Sequence, residues 1–276
     1  MFYLKFLYKE KDIMDTPNSK AVKSKYDNEI CSTYDRDMFN IFKTTRESLL
    51  SSLYNKTNIH DVLDVGSGTA ETLIFLKNIF GDINVVAQDL STGMLEVAKK
   101  KDSCIRTIEC DVLNIKASLK ENEKFDLITM CYLMGYVNPY NVLPILKDLT
   151  KDDGYIFIAT SLSTNLPFAE SVGKQFGIDT EKPKEDIFIP SKAEDFIKVV
   201  EDCGLDVVDF RTFTKKVTFE SLGDCYDFIY TQGWGYQIIE AAGFANRKTE
   251  FINTFKHFIP GKFDDYLKVA FYLLKK

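Results

Sequence analysis

The chain is poor in histidine, has no closely paired cysteines and has no block of basic residues. Its 276 residues include two histidines and six cysteines, and no two cysteines form a Cys-x-x-Cys pair. This composition lacks a zinc-binding pattern. The net charge of −6, with lysines interspersed among acids, argues against a nucleic acid held by its phosphates. We therefore expect no metal, no nucleic-acid partner, and reduced cysteines in a cytoplasmic protein.

Long apolar runs are also missing. No stretch approaches the roughly 20 apolar residues of a membrane span, so we expect no membrane partner. The N-terminal segment has an apolar face, but Lys5 and Lys9 interrupt it and no small-residue cleavage site follows, which argues against a signal peptide. Met14 begins a more typical opening. We expect residues 1–16 to be a disordered extension, and both Met1 and Met14 remain candidates for the first residue.

The most informative segment is Val-Leu-Asp-Val-Gly-Ser-Gly-Thr-Ala at 62–70. An apolar run contains Asp64 and then turns through Gly66 and Gly68 into a helical pattern. Glycines let the backbone turn sharply and approach a ligand closely, as in nucleotide-binding α/β sheets. A dinucleotide site also needs Gly or Ala at the sixth motif position, which is Glu71 here. A nearby carboxylate repels a pyrophosphate, but it suits the cationic groups of S-adenosylmethionine.

Acidic residues also follow the next two apolar runs. Residues 83–90 contain Asp89, 23 positions after Gly66, and residues 105–112 contain Asp111. In such sheets, ligands bind outside the carboxyl ends of the strands, so these acids are placed to accept hydrogen bonds from a ribose and an adenine. Each acid alone is also explained as a turn cap or a loop residue. Their recurrence at successive strand ends indicates a cofactor site.

The segments VLDVGSGTA, VVAQDLS, ECDV, FDLITMCYLM and DDGYIFIAT, in this order and spacing, resemble the class I S-adenosylmethionine-dependent methyltransferases over roughly residues 60–160. The resemblance implies an enzyme of the small-molecule type with S-adenosyl-L-methionine as its cofactor. Ala70 replaces the last glycine of the family's motif. In this family an N-terminal segment commonly closes over the cofactor, and Tyr26 and Tyr34 resemble its paired tyrosines.

The resemblance also assigns parts of the cofactor to particular residues. The glycine turn would line the methionine portion, the end of the second strand would hold the ribose, and the third strand would contact the adenine edge. The fourth strand would end near the sulfonium. The implied cofactor-binding residues are Tyr26, Tyr34, Asp64, Gly66, Ser67, Gly68, Asp89, Leu90, Met94, Asp111, Val112, Met130 and Cys131.

Alternating strand and helix patterns predict an α/β fold. We expect a doubly wound, mostly parallel seven-stranded sheet with an N-terminal helical segment and a helical lid inserted between the last two strands. The lid interval is far longer than a hairpin needs and is rich in aromatic residues. The predicted division is a disordered extension (1–16), an N-terminal helical cap (17–57), a Rossmann-like methyltransferase core (58–219), a helical lid insertion (220–262) and a final core strand (263–276).

Methyl transfer is an in-line displacement with an excellent leaving group, so it depends mainly on alignment, and a base is needed only for some nucleophiles. The catalytic residues therefore stay open, with candidates after the fourth strand and in the insertion. Each candidate is also explained by packing or, for the histidine, by a surface position. The catalytic candidates are Tyr132, Tyr136 and His257, and the candidates for acceptor contact are Tyr132, Tyr136, Tyr230, Trp234 and Tyr236.

We therefore predict transfer of a methyl group to an oxygen, nitrogen or carbon nucleophile of a small molecule. Two alternatives remain open: an NAD-dependent oxidoreductase, and a non-catalytic cofactor-binding module of the same fold. Glu71 and Asp64 argue against the oxidoreductase, and the glycine turn with Asp89 argues against the binding module. We expect a monomer or a homodimer.

Overall fold

The N-terminal segment folds as two helices joined by tight turns, rather than as one helical run. In the computed structural model, which describes residues 17–56, 58–177 and 188–276, α1 spans Pro17–Asn28 and α2 spans Ile41–Ser52. Two 3₁₀ turns, Ile30–Ser32 and Tyr34–Arg36, connect them. The predicted extension at 1–16 lies outside the described residues.

The strands of the described residues form one seven-stranded sheet in the order β3-β2-β1-β4-β5-β7-β6. The first five strands pair in parallel, whereas β7 runs antiparallel to both of its neighbours. This topology confirms the predicted fold class. The strands are β1 Asp61–Val65, β2 Asn84–Asp89, β3 Arg106–Glu109, β4 Phe125–Cys131, β5 Thr150–Ser161, β6 Asp206–Phe219 and β7 Phe263–Lys275.

Helices cover both faces of this sheet, because parallel strands need crossover connections. Two apolar clusters result, one on each face. Along β1, Val62 packs into one cluster while Leu63 and Val65 pack into the other, as the two-residue period of a strand requires. The helices are α3 Glu71–Phe80, α4 Thr92–Lys101, α5 Pro139–Leu149, α6 Pro167–Gln175 and α7 Ala193–Asp202, and a 3₁₀ helix spans Val112–Ser118.

The segment between β6 and β7 is helical, as predicted. It contains α8 (Leu222–Tyr226), a π-helical turn (Asp227–Thr231), α9 (Tyr236–Ala241) and α10 (Lys248–Phe255). Its apolar side chains, including Phe228, Ile229 and Phe251, are fully buried and belong to the same cluster as Val62 of β1. The insertion is therefore part of the core. No helix among the described residues is long and apolar enough to cross a bilayer.

Candidate active site

The glycine turn after β1 has the backbone conformation that its residues predict. Gly66, Gly68 and Ala70 have φ values of 64°, 52° and 62°. Ala70 adopts this left-handed conformation at a cost of roughly 1–2 kcal/mol that a glycine would avoid. A Cβ added at Gly66 would lie 3.1 Å from Leu133, and one at Gly68 would lie 3.2 Å from the ring of Tyr34. The turn therefore leaves little room for side chains at these two positions.

Asp89 at the end of β2 is held from two sides. Its Oδ2 accepts a hydrogen bond from the backbone N–H of Gly68 at 2.8 Å, and its Oδ1 accepts one from the N–H of Ser91 at 2.8 Å. Burial raises the pKa of Asp89, and these N–H groups oppose that shift. Each carboxylate oxygen retains a second lone pair, so the group can accept two further hydrogen bonds from adjacent hydroxyls.

Gln88, which the sequence analysis missed, joins three strand ends. Its Oε1 accepts from the N–H of Gly66 at 3.2 Å, and its Nε2 donates to the carbonyl of Cys110 at 2.6 Å. The side chain is buried, so these bonds satisfy an amide that would otherwise be costly to bury. The available signal was a polar residue inside the apolar run of the second strand.

Asp64 lies beneath the turn, 2% exposed, and accepts a hydrogen bond from the Thr129 hydroxyl at 2.6 Å. Burial raises its pKa to about 7, while the Thr129 bond lowers it and the charge of Asp89 raises it further. A cavity of about 40 Å³ adjoins this carboxyl and is also lined by Ser67, Cys131 and others. The Ser67 hydroxyl is buried with no hydrogen-bond partner among the described residues.

The predicted site residues at the ends of the third and fourth strands lie in different surroundings. Asp111 caps the 3₁₀ helix that follows β3, accepting from the N–H of Leu113 at 2.9 Å. Val112 and Met130 are buried in the apolar cluster on the opposite face from Val62, whereas Cys131 lines the cavity. Of the two residues expected near the sulfonium, the structure therefore brings Cys131 beside Asp64 and the turn.

The two predicted adenine neighbours also differ in exposure. Leu90 is partly exposed, and its carbonyl accepts a hydrogen bond from Lys23 Nζ at 3.0 Å. Met94 is buried in the core, in the first turn of α4. Leu90 directly follows Asp89 and Met94 lies at the start of the next helix, so both lie near the carboxyl edge of the sheet where the resemblance predicts adenine.

Aromatic side chains from three distant segments meet above the glycine turn. The Tyr26 and Tyr136 hydroxyls are 2.9 Å apart, and the Tyr132 hydroxyl is 2.6 Å from that of Thr45. Phe42, which the sequence analysis did not single out, has its ring centroid 4.9 Å from Tyr34 and 5.5 Å from Trp234. The aromatic cluster comprises Tyr26, Tyr34, Phe42, Tyr132, Tyr136, Trp234 and Tyr236.

The phenols of this cluster are not available as general bases. Burial raises the pKa values of Tyr132 and Tyr136 well above the ordinary tyrosine value, and the pKa values of Tyr26 and Tyr34 shift in the same direction for the same reason. These hydroxyls therefore remain protonated at neutral pH. They can position a substrate by donating or accepting hydrogen bonds, but they cannot remove a proton from it as phenolates.

Two of the predicted site residues, Tyr230 and His257, lie outside the aromatic cluster. Tyr230 is buried against Lys25, whose Nζ is 3.7 Å from the ring centroid, and its ring packs on Tyr226 at 5.2 Å. His257 is exposed just beyond α10, beside the exposed ring of Phe258. The structure brings Tyr132, Tyr136, Trp234 and Tyr236 together, but it does not bring His257 to them.

Helix α1 is docked on α4 at the edge of the predicted adenine region. Asp27 Oδ1 accepts hydrogen bonds from the Ser91 hydroxyl at 2.6 Å and from the N–H of Gly93 at 2.9 Å. A Cβ at Gly93 would lie 2.7 Å from the carbonyl oxygen of Asp27, so only glycine permits this approach. The N-terminal segment is thereby attached directly to the residues that follow Asp89.

With this geometry in place, comparison with known proteins assigns the core. Residues 62–154 match the family model described as a methyltransferase domain. The predicted family is confirmed: this segment is a methyltransferase domain of the class I S-adenosylmethionine-dependent type. The family model thus agrees with the enzyme class and the cofactor predicted from the sequence.

Two similar curated proteins illustrate the relationship. The chain is 29% identical over 104 residues to a ubiquinone biosynthesis O-methyltransferase of Glaesserella parasuis, covering 36% of this chain and 44% of that protein. It is 28% identical over 179 residues to a malonyl-[acyl-carrier protein] O-methyltransferase of Acetivibrio thermocellus, covering 62% and 59%. The chain thus spans about half the length of the curated relatives it matches.

A solved structure shows the same fold. The S-adenosylmethionine-dependent methyltransferase of Thiobacillus denitrificans, crystallised with S-adenosyl-L-homocysteine, aligns with a TM-score of 0.52 at 18% identity, covering 89% of this chain and 96% of that one. At this identity the likeness concerns the fold alone.

Proposed function

We propose that this protein binds S-adenosylmethionine at the carboxyl ends of β1, β2 and β3 and transfers its methyl group to an oxygen, nitrogen or carbon nucleophile of a small molecule. The observation that carries the proposal is the Asp89 carboxylate, which the N–H groups of Gly68 and Ser91 hold in place beside the glycine turn. This arrangement supports recognition of a ribose diol next to a close backbone approach.

The remaining residues fit the chemistry of the cofactor. The buried Asp64 carboxyl lines the same cavity as the Ser67 hydroxyl, which has no partner among the described residues, and the two groups suit a cationic group and a polar one. A cavity of about 40 Å³ is far smaller than the 300–1,000 Å³ typical of ligand sites. Because the Tyr34 ring lies directly over Gly68, we propose that Tyr34 and its segment shift to admit the cofactor.

The cofactor supplies an electrophilic methyl group, and the protein's task is then to align an acceptor with it. The aromatic cluster supports that task, because its rings lie between the glycine turn and the insertion, and its hydroxyls remain protonated. Holding reactants in a reactive geometry can contribute roughly 7–11 kcal/mol. In this proposal the insertion at 220–262 serves as a lid that excludes water from the acceptor.

Calorimetric titration with S-adenosylmethionine and, separately, with NAD tests the proposal. We expect binding of S-adenosylmethionine alone. Asp89→Asn should weaken that binding by roughly 1.5–3 kcal/mol, the loss expected for hydrogen bonds to a charged acceptor. Asp82→Asn is the matched control, because Asp82 is an exposed acid just before the opposite end of β2.

Three results would each contradict a part of the proposal. Binding of NAD without S-adenosylmethionine would favour the oxidoreductase. Binding of neither compound by the folded protein would favour a module that has lost its cofactor. An unchanged affinity in a folded Asp89→Asn variant would show that the ribose lies elsewhere.

A further inference from the structure

Gln232 is a buried amide that nothing in the described residues satisfies. The residue is 2% exposed, and neither its Nε2 nor its Oε1 has a hydrogen-bond partner. A glutamine amide offers two donor hydrogens and two acceptor lone pairs, and leaving such a group buried and unpaired is costly. Unsatisfied buried groups are rare in native proteins and often mark functional sites.

The backbone directly before Gln232 forms an unusual helical turn. Residues Asp227–Thr231 form a π-helical turn, and the N–H of Gln232 ends it by donating to the carbonyl of Asp227 at 3.1 Å. Single π-helical turns are frequent at functional sites, because the wider turn displaces one residue from the regular helical face. Here that displacement comes directly before the unpaired amide.

The chain neighbours of Gln232 contact the N-terminal segment and the loop after β4. The carbonyl of Thr231 accepts a hydrogen bond from the Thr33 hydroxyl at 2.7 Å. A Cβ at Gly233 would lie 3.4 Å from the Tyr26 hydroxyl. On the far side, the ring of Trp234 contacts Tyr132 at 5.3 Å between centroids. Gln232 thus lies between contacts to the N-terminal segment and a contact to the loop after β4.

We propose that Gln232 recognises the methyl acceptor, pairing its amide with an adjacent hydrogen-bond donor and acceptor at the edge of a planar, uncharged molecule. This inference rests on the proposed methyltransferase function and names the chemical class of its substrate. An amide paired side by side with such an edge forms two hydrogen bonds at once, as glutamine does with adenine.

The surroundings support a planar and uncharged partner. The aromatic cluster offers flat, apolar faces, and its phenols are neutral at physiological pH. Lys25, the nearby cation on α1, is already engaged by the carboxylates of Glu29 at 2.5 Å and Glu240 at 3.4 Å. Lys25 therefore offers no free positive charge to an anionic acceptor, and burying an anion beside it without a further counter-ion is unfavourable.

Three fragment-sized probes test this inference in the presence of saturating S-adenosylhomocysteine. Benzamide carries the donor and acceptor on a planar ring, benzoate carries a charge and no donor, and toluene has neither. Ligand-observed NMR titration measures their affinities for the wild type, for Gln232→Leu and for Gln237→Leu. Gln237 is a matched control, because it is an amide in the same insertion but is partly exposed.

We expect the wild type and Gln237→Leu to bind benzamide more tightly than benzoate and toluene. Gln232→Leu should lose about tenfold in benzamide affinity, the equivalent of one or two hydrogen bonds, and should keep its toluene affinity. Its melting temperature should rise, because the unpaired amide is gone. Gln232→Met repeats the test with an unbranched side chain if the leucine variant fails to fold.

An unchanged benzamide affinity in a folded Gln232 variant would overturn the assignment of this residue. A wild type that does not prefer benzamide would overturn the proposed substrate class. A parallel titration of each protein with S-adenosylmethionine separates these failures from failure of the methyltransferase proposal. If Gln232 acts only on the acceptor, its variants should bind the cofactor as the wild type does, whereas a wild type that binds no cofactor would contradict the proposed function itself.

Discussion

Replacing Asp64 by asparagine should change how the stability of the cofactor-free protein depends on pH. Asp64 is buried, and its pKa of about 7 stands well above its ordinary value of 3.8. The folded protein therefore binds this proton more tightly than the unfolded chain does. The resulting stabilisation is complete below about pH 3.8, decreases as the pH rises, and is lost above about pH 7.

The size of the expected stability change follows from the pKa shift of Asp64. Each pKa unit corresponds to about 1.4 kcal/mol, so the difference between 3.8 and about 7 amounts to about 4 kcal/mol. Asparagine has nearly the same shape, and its Oδ1 can still accept the Thr129 hydroxyl, but it does not ionise. The stability advantage of Asp64→Asn over the wild type should therefore grow by about 4 kcal/mol between pH 4 and pH 8.

Urea unfolding of both proteins at several pH values, without cofactor, measures this difference. The other carboxyl groups titrate in both proteins, so their contributions cancel in the comparison. A stability difference that stays constant from pH 4 to pH 8 would refute the reasoning. It would show that Asp64 ionises in the folded state as easily as it does in the unfolded chain.

Cofactor binding should favour the ionised form of Asp64, whereas burial in the cofactor-free protein favours the protonated form. A cationic ligand beside Asp64 favours the carboxylate, so binding near pH 7 should release up to about half a proton per site. Calorimetry in two buffers of different ionisation enthalpy measures that proton directly. Asp64→Asn should bind S-adenosylmethionine more weakly and without this release. Equal proton release from both proteins would assign it to another group.

Two further substitutions probe the segments that surround the site. Gly93→Ala places a Cβ 2.7 Å from the Asp27 carbonyl, so it should destabilise the protein by roughly 1–3 kcal/mol and increase hydrogen exchange in α1. Gly261→Ala, where a Cβ meets nothing within 4 Å, is the control, and equal effects of the two variants would contradict the docking argument. Trp234→Ala should cost up to ~3–5 kcal/mol of stability and leave cofactor affinity within about tenfold, while acceptor kcat/KM falls further. Unaltered acceptor kinetics would identify Trp234 as a packing residue.

Local sequence patterns were sufficient to predict the turn and the strands. The apolar runs around Asp64 and Asp89 predicted β1 and β2, because burial of a parallel strand on both faces demands apolar residues. The glycines predicted the left-handed turn between β1 and α3, because few other residues adopt that conformation cheaply. The predicted residue roles, the division into domains and the lid role of the insertion stay predictions.

The contacts across distant segments could not be predicted in the same way. Gln88 joins three strand ends, yet its two partners lie 22 residues away in either direction. Phe42 of α2 and Trp234 of the insertion have ring centroids 5.5 Å apart, although they are far apart in the sequence. His257 looked available as a base from composition, but the end of α10 leaves it exposed.

The sequence by itself determined the order of the strands along the chain, the glycine turn and the acids at the strand ends, because strand periodicity and backbone conformation are local properties. The tertiary structure alone decided which side chains meet above that turn. It brought Tyr26, Tyr132 and Trp234 together, raised the pKa of Asp64, and left Gln232 buried without a partner in the part of the chain that the structure describes. Burial and dielectric environment depend on every element packed around a residue, and no pattern of neighbouring residues specifies them.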